Sequence, residues 1–312
     1  MDSLYAALWA TNLEVPGTSL QGWTAFLDAR MQELGAAGVR LLVLPEFACA
    51  QWLSFAPREL ALTEQVPWLA SMAEEALALI RPLASRHGVA LLPGTMPHRV
   101  SKPTSRTARY RNRAWLFLPN GDEFAQDKLC LTPSEQNPQG WLLQPGSEVN
   151  VIEWEGLRLA IVICLDVEFT SLWAKLGKLD LDLVIVPAKT DMLSGYNRVF
   201  GCAFARATEL QTVVLAVGAV GSPSGIASLD TVMGGAAAFV PCDSALGLTG
   251  VAAALEPHLA ASGLSPILYA PDLPVGYCRR MRHGAAEAEV WPSSWTADRV
   301  KIIDPASSLT QT

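Results

Sequence analysis

Long apolar runs, basic blocks and paired cysteines are all missing from this chain of 312 residues. Its longest apolar stretches, such as Val213 to Val220, fall far short of the roughly 20 residues a spanning helix needs, so no membrane partner is expected. The N-terminal Met1-Asp2-Ser3 lacks the basic region that opens a secretory signal. The six cysteines form no Cys-x-x-Cys pair, which argues against a disulfide framework or a zinc site and suits a reducing cytoplasm. There are 23 basic and 30 acidic residues, a formal net charge of −7. The one loose basic cluster, Arg99 to Arg113, reads as a solvated loop, so nucleic-acid binding is not expected. Histidine is scarce: His87, His98, His258 and His283 are the whole set, and none follows a strand beside a candidate nucleophile. A P-loop, a dinucleotide fingerprint and metal-ligand spacing are absent, so neither cofactor nor metal is expected. A serine nucleophile elbow is absent as well. Gly221-Ser222-Pro223-Ser224-Gly225 puts proline where the serine must stand.

What is present is apolar and regular. Half of the residues are hydrophobic and 17% are charged, enough to bury a large core. Strands are expected over residues 4–12, 40–44, 89–92, 115–118, 149–154, 157–164, 183–186, 212–220, 235–240 and 250–255. Helices are expected after Thr18 or Ser19, and over 68–83, 171–179 and 197–210. Glu155-Gly156 is a hairpin signal and Asn120-Gly121 a turn. Alternating strands and helices with hairpins among them predict an α/β fold with mixed sheets. No linker divides the chain, so residues 1–312 read as one domain. Residues 257–312, rich in Pro, Ser and charge, form a C-terminal extension expected to wrap the core or a partner subunit.

Three reactive side chains stand after predicted strands or turns: Glu46, Lys128 and Cys164. A thiol with a pKa of about 8.5 is mostly protonated at neutral pH and needs a base or a cation to become a nucleophile. A carboxylate can take its proton, and an ammonium can stabilise thiolate and oxyanion in turn. The three groups therefore suffice for acyl transfer without histidine. Taken singly, each has a structural alternative. Cys164 could be a small buried hydrophobe, Glu46 a helix cap and Lys128 a loop residue.

The surrounding motifs weigh on that choice. Leu42-Val43-Leu44-Pro45-Glu46-Phe47 resembles the first motif of the nitrilase superfamily, the carbon–nitrogen hydrolases. Asp127-Lys128-Leu129-Cys130-Leu131-Thr132-Pro133-Ser134-Glu135 resembles its lysine motif, and Ile163-Cys164-Leu165-Asp166-Val167-Glu168-Phe169 its cysteine motif. They occur in the family's order, and the likeness extends over roughly residues 4–255. The resemblance implies a four-layer α-β-β-α sandwich with two mixed sheets, and a homodimer or larger homo-oligomer. It implies Cys164 as nucleophile, Glu46 as general base, and Lys128 with the Leu165 N–H as oxyanion donors. Glu135 would orient Lys128 or the substrate nitrogen. Asp166 is expected to tie down the turn, and Glu209 to pair with Arg206 three residues earlier. Lys189 and Thr190, in Pro187-Ala188-Lys189-Thr190-Asp191, are expected at the mouth of the site.

The chain departs from the family at Leu165, where many members carry an aromatic. It departs again at Thr170-Ser171 in place of Pro-Glu, and at Leu210 in place of Asn. The reactive groups are untouched. The resemblance implies hydrolysis of a non-peptide C–N bond in a small linear amide. Cys-Leu-Asp at the nucleophile favours an amidase over a nitrilase, whose motif is more often Cys-Trp-Glu. An N-carbamoyl amine or amino-acid hydrolase is the alternative reaction, and a ligand-binding homologue without turnover the alternative class.

Overall fold

The computed structural model describes residues 1–14, 17–101, 109–222, 232–259, 265–285, 287 and 297–301. In chain order the elements are β1 (Leu4–Trp9), α1 (Leu20–Ala36), β2 (Leu41–Val43), α2 (Leu62–Ile80), α3 (Leu83–His87), β3 (Ala90–Leu92), β4 (Thr95–Arg99), β5 (Tyr110–Phe117), β6 (Glu123–Asp127), α4 (Pro133–Gln136), β7 (Ile152–Trp154), β8 (Leu157–Ile161), α5 (Thr170–Leu176), β9 (Leu183–Ala188), α6 (Leu193–Leu210), β10 (Val213–Gly218), β11 (Gly234–Phe239), β12 (Val251–His258), β13 (Ile267–Leu273) and α7 (Val275–Arg280). Single 3₁₀ segments cover Ala48–Phe55 and Cys164–Glu168.

Two mixed sheets result. The first runs β13-β1-β2-β3-β5-β4, with β6 also paired to β5, and its parallel strands are β1, β2 and β3. The second runs β12-β11-β10-β9-β8-β7, with β8, β9 and β10 parallel. The period of two along β1 assigns the layers. Leu4, Ala6 and Leu8 join the core between the sheets, whereas Ala7 and Trp9 join the core shared with α1 and α2. On the far side, Trp173 of α5 and Tyr196, Val199, Phe200 and Ala203 of α6 pack on the second sheet. Helices therefore cover both outer faces, which is the α-β-β-α sandwich.

Local signals explain several boundaries. Ser19 Oγ accepts the Gly22 N–H at 3.0 Å and starts α1. Glu155 and Gly156, with φ of 49° and 78°, make the mirror-image turn that a two-residue hairpin between β7 and β8 requires.

Other expectations are corrected. The helix expected at 68–83 is α2, which starts six residues earlier at Leu62 and carries Pro67 inside. Its apolar stripe of Val66, Leu69, Ala73, Ala76 and Ile80 outweighs the lost backbone bond. The basic cluster is not all loop. Arg111 and Arg113 lie on β5 and share Asp127 of β6 at 3.0 and 2.6 Å. Residues 102–108 of that cluster lie outside the described residues. Within the C-terminal extension lies β13, an edge strand antiparallel to β1. Ala270 and Leu273 of β13 face inward three residues apart, because a register shift opposite Leu4 and Ala6 breaks the alternation that would have shown in the sequence. Among the described residues, no helix is long and apolar enough to cross a membrane.

Candidate active site

The site forms where the parallel strands of both sheets end, the usual place for a ligand in an open α/β sheet. From the first sheet come Glu46, three residues beyond β2, and Lys128, one beyond β6. From the second come Cys164, three residues beyond β8, and Lys189, one beyond β9. Cys164 does not end its strand as expected. It opens the 3₁₀ turn with φ of 49°, in the left-handed region that costs an L-residue about 1–2 kcal/mol. The turn redirects the chain and aims the sulfur at the gap between the sheets.

Polar contacts join the set. Lys128 Nζ donates to Glu46 Oε1 at 2.8 Å and to both oxygens of Glu135, at 3.0 and 2.8 Å. The Lys189 N–H donates to Glu46 Oε2 at 3.0 Å. The Cys164 thiol lies against the Glu46 carboxyl and 3.7 Å from the Lys189 carbonyl oxygen. Glu135 is fixed from behind by the capping box of α4, where its Oε2 accepts the Thr132 N–H at 2.8 Å. Asp166 accepts the N–H groups of Leu129 and Cys130 at 3.0 and 2.6 Å. It thereby ties the lysine loop to the cysteine turn.

Glu46, Lys128, Glu135 and Cys164 are all buried. Burial raises the Glu46 carboxyl above its ordinary value, and Lys128 only partly offsets this. Burial pushes the Cys164 thiol well up, and the charge of Glu46 pushes it further. Burial alone would discharge Lys128, but Glu46 and Glu135 outweigh it and hold the ammonium charged. The resting sulfur is thus a protonated thiol beside a carboxylate of raised basicity, the pair that general-base activation needs. Such a cluster costs several kcal/mol per ion to bury, which is a mark of a working site.

Glu46, Lys128 and Glu135 line a cavity of about 220 Å³, below the roughly 300–1,000 Å³ usual for drug-sized ligands, and Cys164 lies behind Glu46 rather than on that lining. Phe47, Leu62 and Trp141 supply its apolar wall, and Lys189 and Asp191 stand on its lining. Lys189 Nζ pairs with Asp191 Oδ1 at 2.8 Å. Leu165 and Thr190 are not among the lining residues. Thr190 Oγ1 instead donates to the Met233 carbonyl at 2.7 Å, which stitches β9 to β11. Arg206 and Glu209 form an ion pair at 2.5 Å.

Asn112 escaped the sequence reading. It lies on β5, wholly buried, and donates to Glu46 Oε1 at 2.8 Å. The available signal was an asparagine in phase with apolar Ala114 and Leu116, on the face turned to the inter-sheet core.

Comparison with known proteins agrees with this geometry. A sequence profile described as carbon-nitrogen hydrolase matches residues 17–243. The chain belongs to the carbon-nitrogen hydrolase family. Its fold is that of an amidase from Nesterenkonia sp. AN1, solved as a cysteine-to-alanine variant in complex with butyramide, at a TM-score of 0.64 and 20% identity over 90% of this chain and 95% of that one. A carbon-nitrogen hydrolase from Helicobacter pylori G27 superposes at 0.67 with 16% identity, over 90% and 92% of the two chains. Among curated proteins, the probable hydrolase YhcX of Bacillus subtilis is 28% identical over 222 residues, covering 70% of this chain and 40% of its own. An (R)-stereoselective amidase of Pseudomonas sp. is 30% identical over 115 residues, covering 36% and 40%. The chain thus spans about 40% of the length of each of these curated relatives.

Proposed function

We propose that the protein hydrolyses small linear amides through a thioester on Cys164. The observation that carries this reading is one buried cluster, in which Glu46, Lys128 and Glu135 line a small cavity and Cys164 lies against Glu46. The sulfur attacks the carbonyl carbon while its proton passes to Glu46. The carbonyl electron pair moves to oxygen, where Lys128 and the Leu165 N–H receive the charge. Collapse breaks the C–N bond. Glu46 returns the proton to the departing nitrogen, which leaves as ammonia or an amine. Water then adds to the thioester, with Glu46 again taking a proton. The second collapse expels the sulfur, which regains its proton as the carboxylic acid departs. Glu135 keeps Lys128 charged and aimed.

The lining favours neutral substrates. It carries Glu46, Glu135 and Asp191 against Lys128 and Lys189, and Lys189 already pairs with Asp191. Among the described lining residues, a substrate carboxylate would meet no unpaired cation. This weighs against N-carbamoyl amino acids and for uncharged amides.

The test is ammonia release across a panel of linear amides, carbamoyl compounds and nitriles, with mass spectrometry of the protein. Turnover of neutral amides and an acyl group on Cys164 are expected, and Cys164→Ala should remove both while leaving the fold intact. Wild-type turnover in that variant refutes the nucleophile. A complete lack of adduct and turnover would favour a ligand-binding homologue.

A further inference from the structure

The two oxygens of Glu46 are not equivalent. Oε1 accepts from Lys128 Nζ and from Asn112 Nδ2, each at 2.8 Å. Among the described residues, the hydrogen bond that Oε2 accepts is from the Lys189 N–H, at 3.0 Å. A carboxylate offers about four lone-pair sites. Three are therefore filled, and the one left for a proton is on Oε2.

Asn112 is suited to enforce this. The same Nδ2 lies 3.4 Å from Glu135 Oε1, so one amide spans both carboxylates that clasp Lys128. Two facing carboxylate oxygens fix the amide's orientation, since its own oxygen would be repelled there. The Asn112 carbonyl accepts the Lys128 N–H at 2.9 Å, holding the lysine's main chain to β5. Asn112 Oδ1, in contrast, is buried with no hydrogen-bond partner among the described residues. An unpaired buried acceptor in a poor strand former is a cost without structural return. An apolar residue would suit this strand and this core better. The contacts made by Nδ2 account for the asparagine.

We infer that Asn112 is a positioning residue, which reserves Glu46 Oε2 as the proton acceptor for Cys164 and holds Glu46 and Glu135 on Lys128. The inference rests on the amide-hydrolase reading for its chemistry. The Lys189 peptide completes the arrangement, with its N–H on the base and its carbonyl oxygen near the sulfur.

The test compares wild type, Asn112→Leu and Asn112→Asp by two measurements. One is the pH dependence of kcat and KM on an amide that acylates the wild type. The other is the pH dependence of Cys164 alkylation by iodoacetamide, which needs no substrate. In Asn112→Leu, kcat should fall roughly 10- to 100-fold, as for a lost hydrogen bond to a charged group, with little change in KM. A carboxylate that loses a donor holds its proton more tightly, so the acidic limbs of both profiles should move to higher pH. Asn112→Asp keeps the size. It donates an O–H while protonated and becomes a third buried carboxylate when ionised, so its activity relative to wild type should fall as pH rises through that ionisation, a basic limit the wild type lacks. Should Asn112→Leu fail to fold, Asn112→Asp decides. Wild-type kcat and unmoved pH profiles in a folded variant overturn the inference. If the wild type itself hydrolyses nothing, the hydrolase reading fails, and the alkylation profiles still decide the role of Asn112.

Discussion

Asp166 shows how much one side chain carries at the residue scale. It lies two residues past Cys164 and is buried, with its carboxylate bonded to two N–H groups of the lysine loop. Burial outweighs those bonds and pushes its pKa up to about 6 from 3.8. The folded state therefore binds the proton more tightly than the unfolded chain. That contribution to stability is fully present below about pH 4 and is lost as pH rises through about 6. Asp166→Asn removes the titration. The stability of wild type relative to this variant should fall by up to roughly 3 kcal/mol between pH 4 and pH 7, measured by urea unfolding at stepped pH. A pH-independent difference would show that Asp166 is not the titrating group. Glu46, Lys128, Glu135 and Cys164 were legible as residues because their chemistry is rare in combination. Asn112 was not, because an asparagine in a strand looks like ordinary surface until the facing sheet is present.

Elements place those residues by their ends. Three residues past β2, Glu46 sits in a turn whose next residue, Phe47, has φ of 52°. Gly94, between β3 and β4, supports that turn from beneath. Its φ is +84°, and a Cβ there would lie 2.3 Å from the Pro45 carbonyl oxygen and 2.9 Å from Ala48 Cβ. Gly94→Ala must therefore strain its own backbone and push the Pro45-Glu46 peptide toward the cavity. The expected cost is about 1–3 kcal/mol in urea unfolding, with a larger proportional loss of amide turnover. Unchanged stability and turnover would mean that the turn yields freely. The long elements were readable from periodicity, since α1, α6, β9 and β10 each bury a face or a continuous run. Strands β4 and β6 were not. Burial falls off along β4 and reaches the core only at Gln126 in β6, so neither shows a clean alternation.

At the scale of the whole molecule, residues 265–285 close the fold. Strand β13 extends the first sheet, and α7 with its following turn reaches the second. Asp182, at the start of β9, accepts from Arg279 at 2.6 Å, from Arg282 at 2.5 Å and from the Arg158 N–H at 2.9 Å. Burial raises the Asp182 carboxyl, but these donors outweigh it and hold the pKa below its ordinary value. Its contribution is present above the ordinary aspartate value, near 4, and fades as pH falls through the lower folded one. Asp182→Asn leaves the buried Arg282 short of its counter-ion, so a loss of about 3 kcal/mol is expected at neutral pH. The gap between variant and wild type should narrow in acid, as measured by chemical unfolding. A stability equal to wild type at neutral pH would show that this clamp is dispensable.

What the linear order of residues determined by itself was chemistry and class. A base, an ammonium and a thiol stood in family-like motifs, among α/β periodicities, without cofactor signatures. Those features are local, because a motif keeps its residue types and a strand its alternation wherever the chain goes. What only tertiary structure decided was proximity. Glu46 and Lys128 end strands of one sheet and Cys164 follows a strand of the other, more than thirty residues from either. They meet because apolar burial packs the two sheets face to face. The same packing raises the thiol and the carboxyl, and sets an amide from a middle strand against Glu46, effects that need a dry interior no isolated segment has.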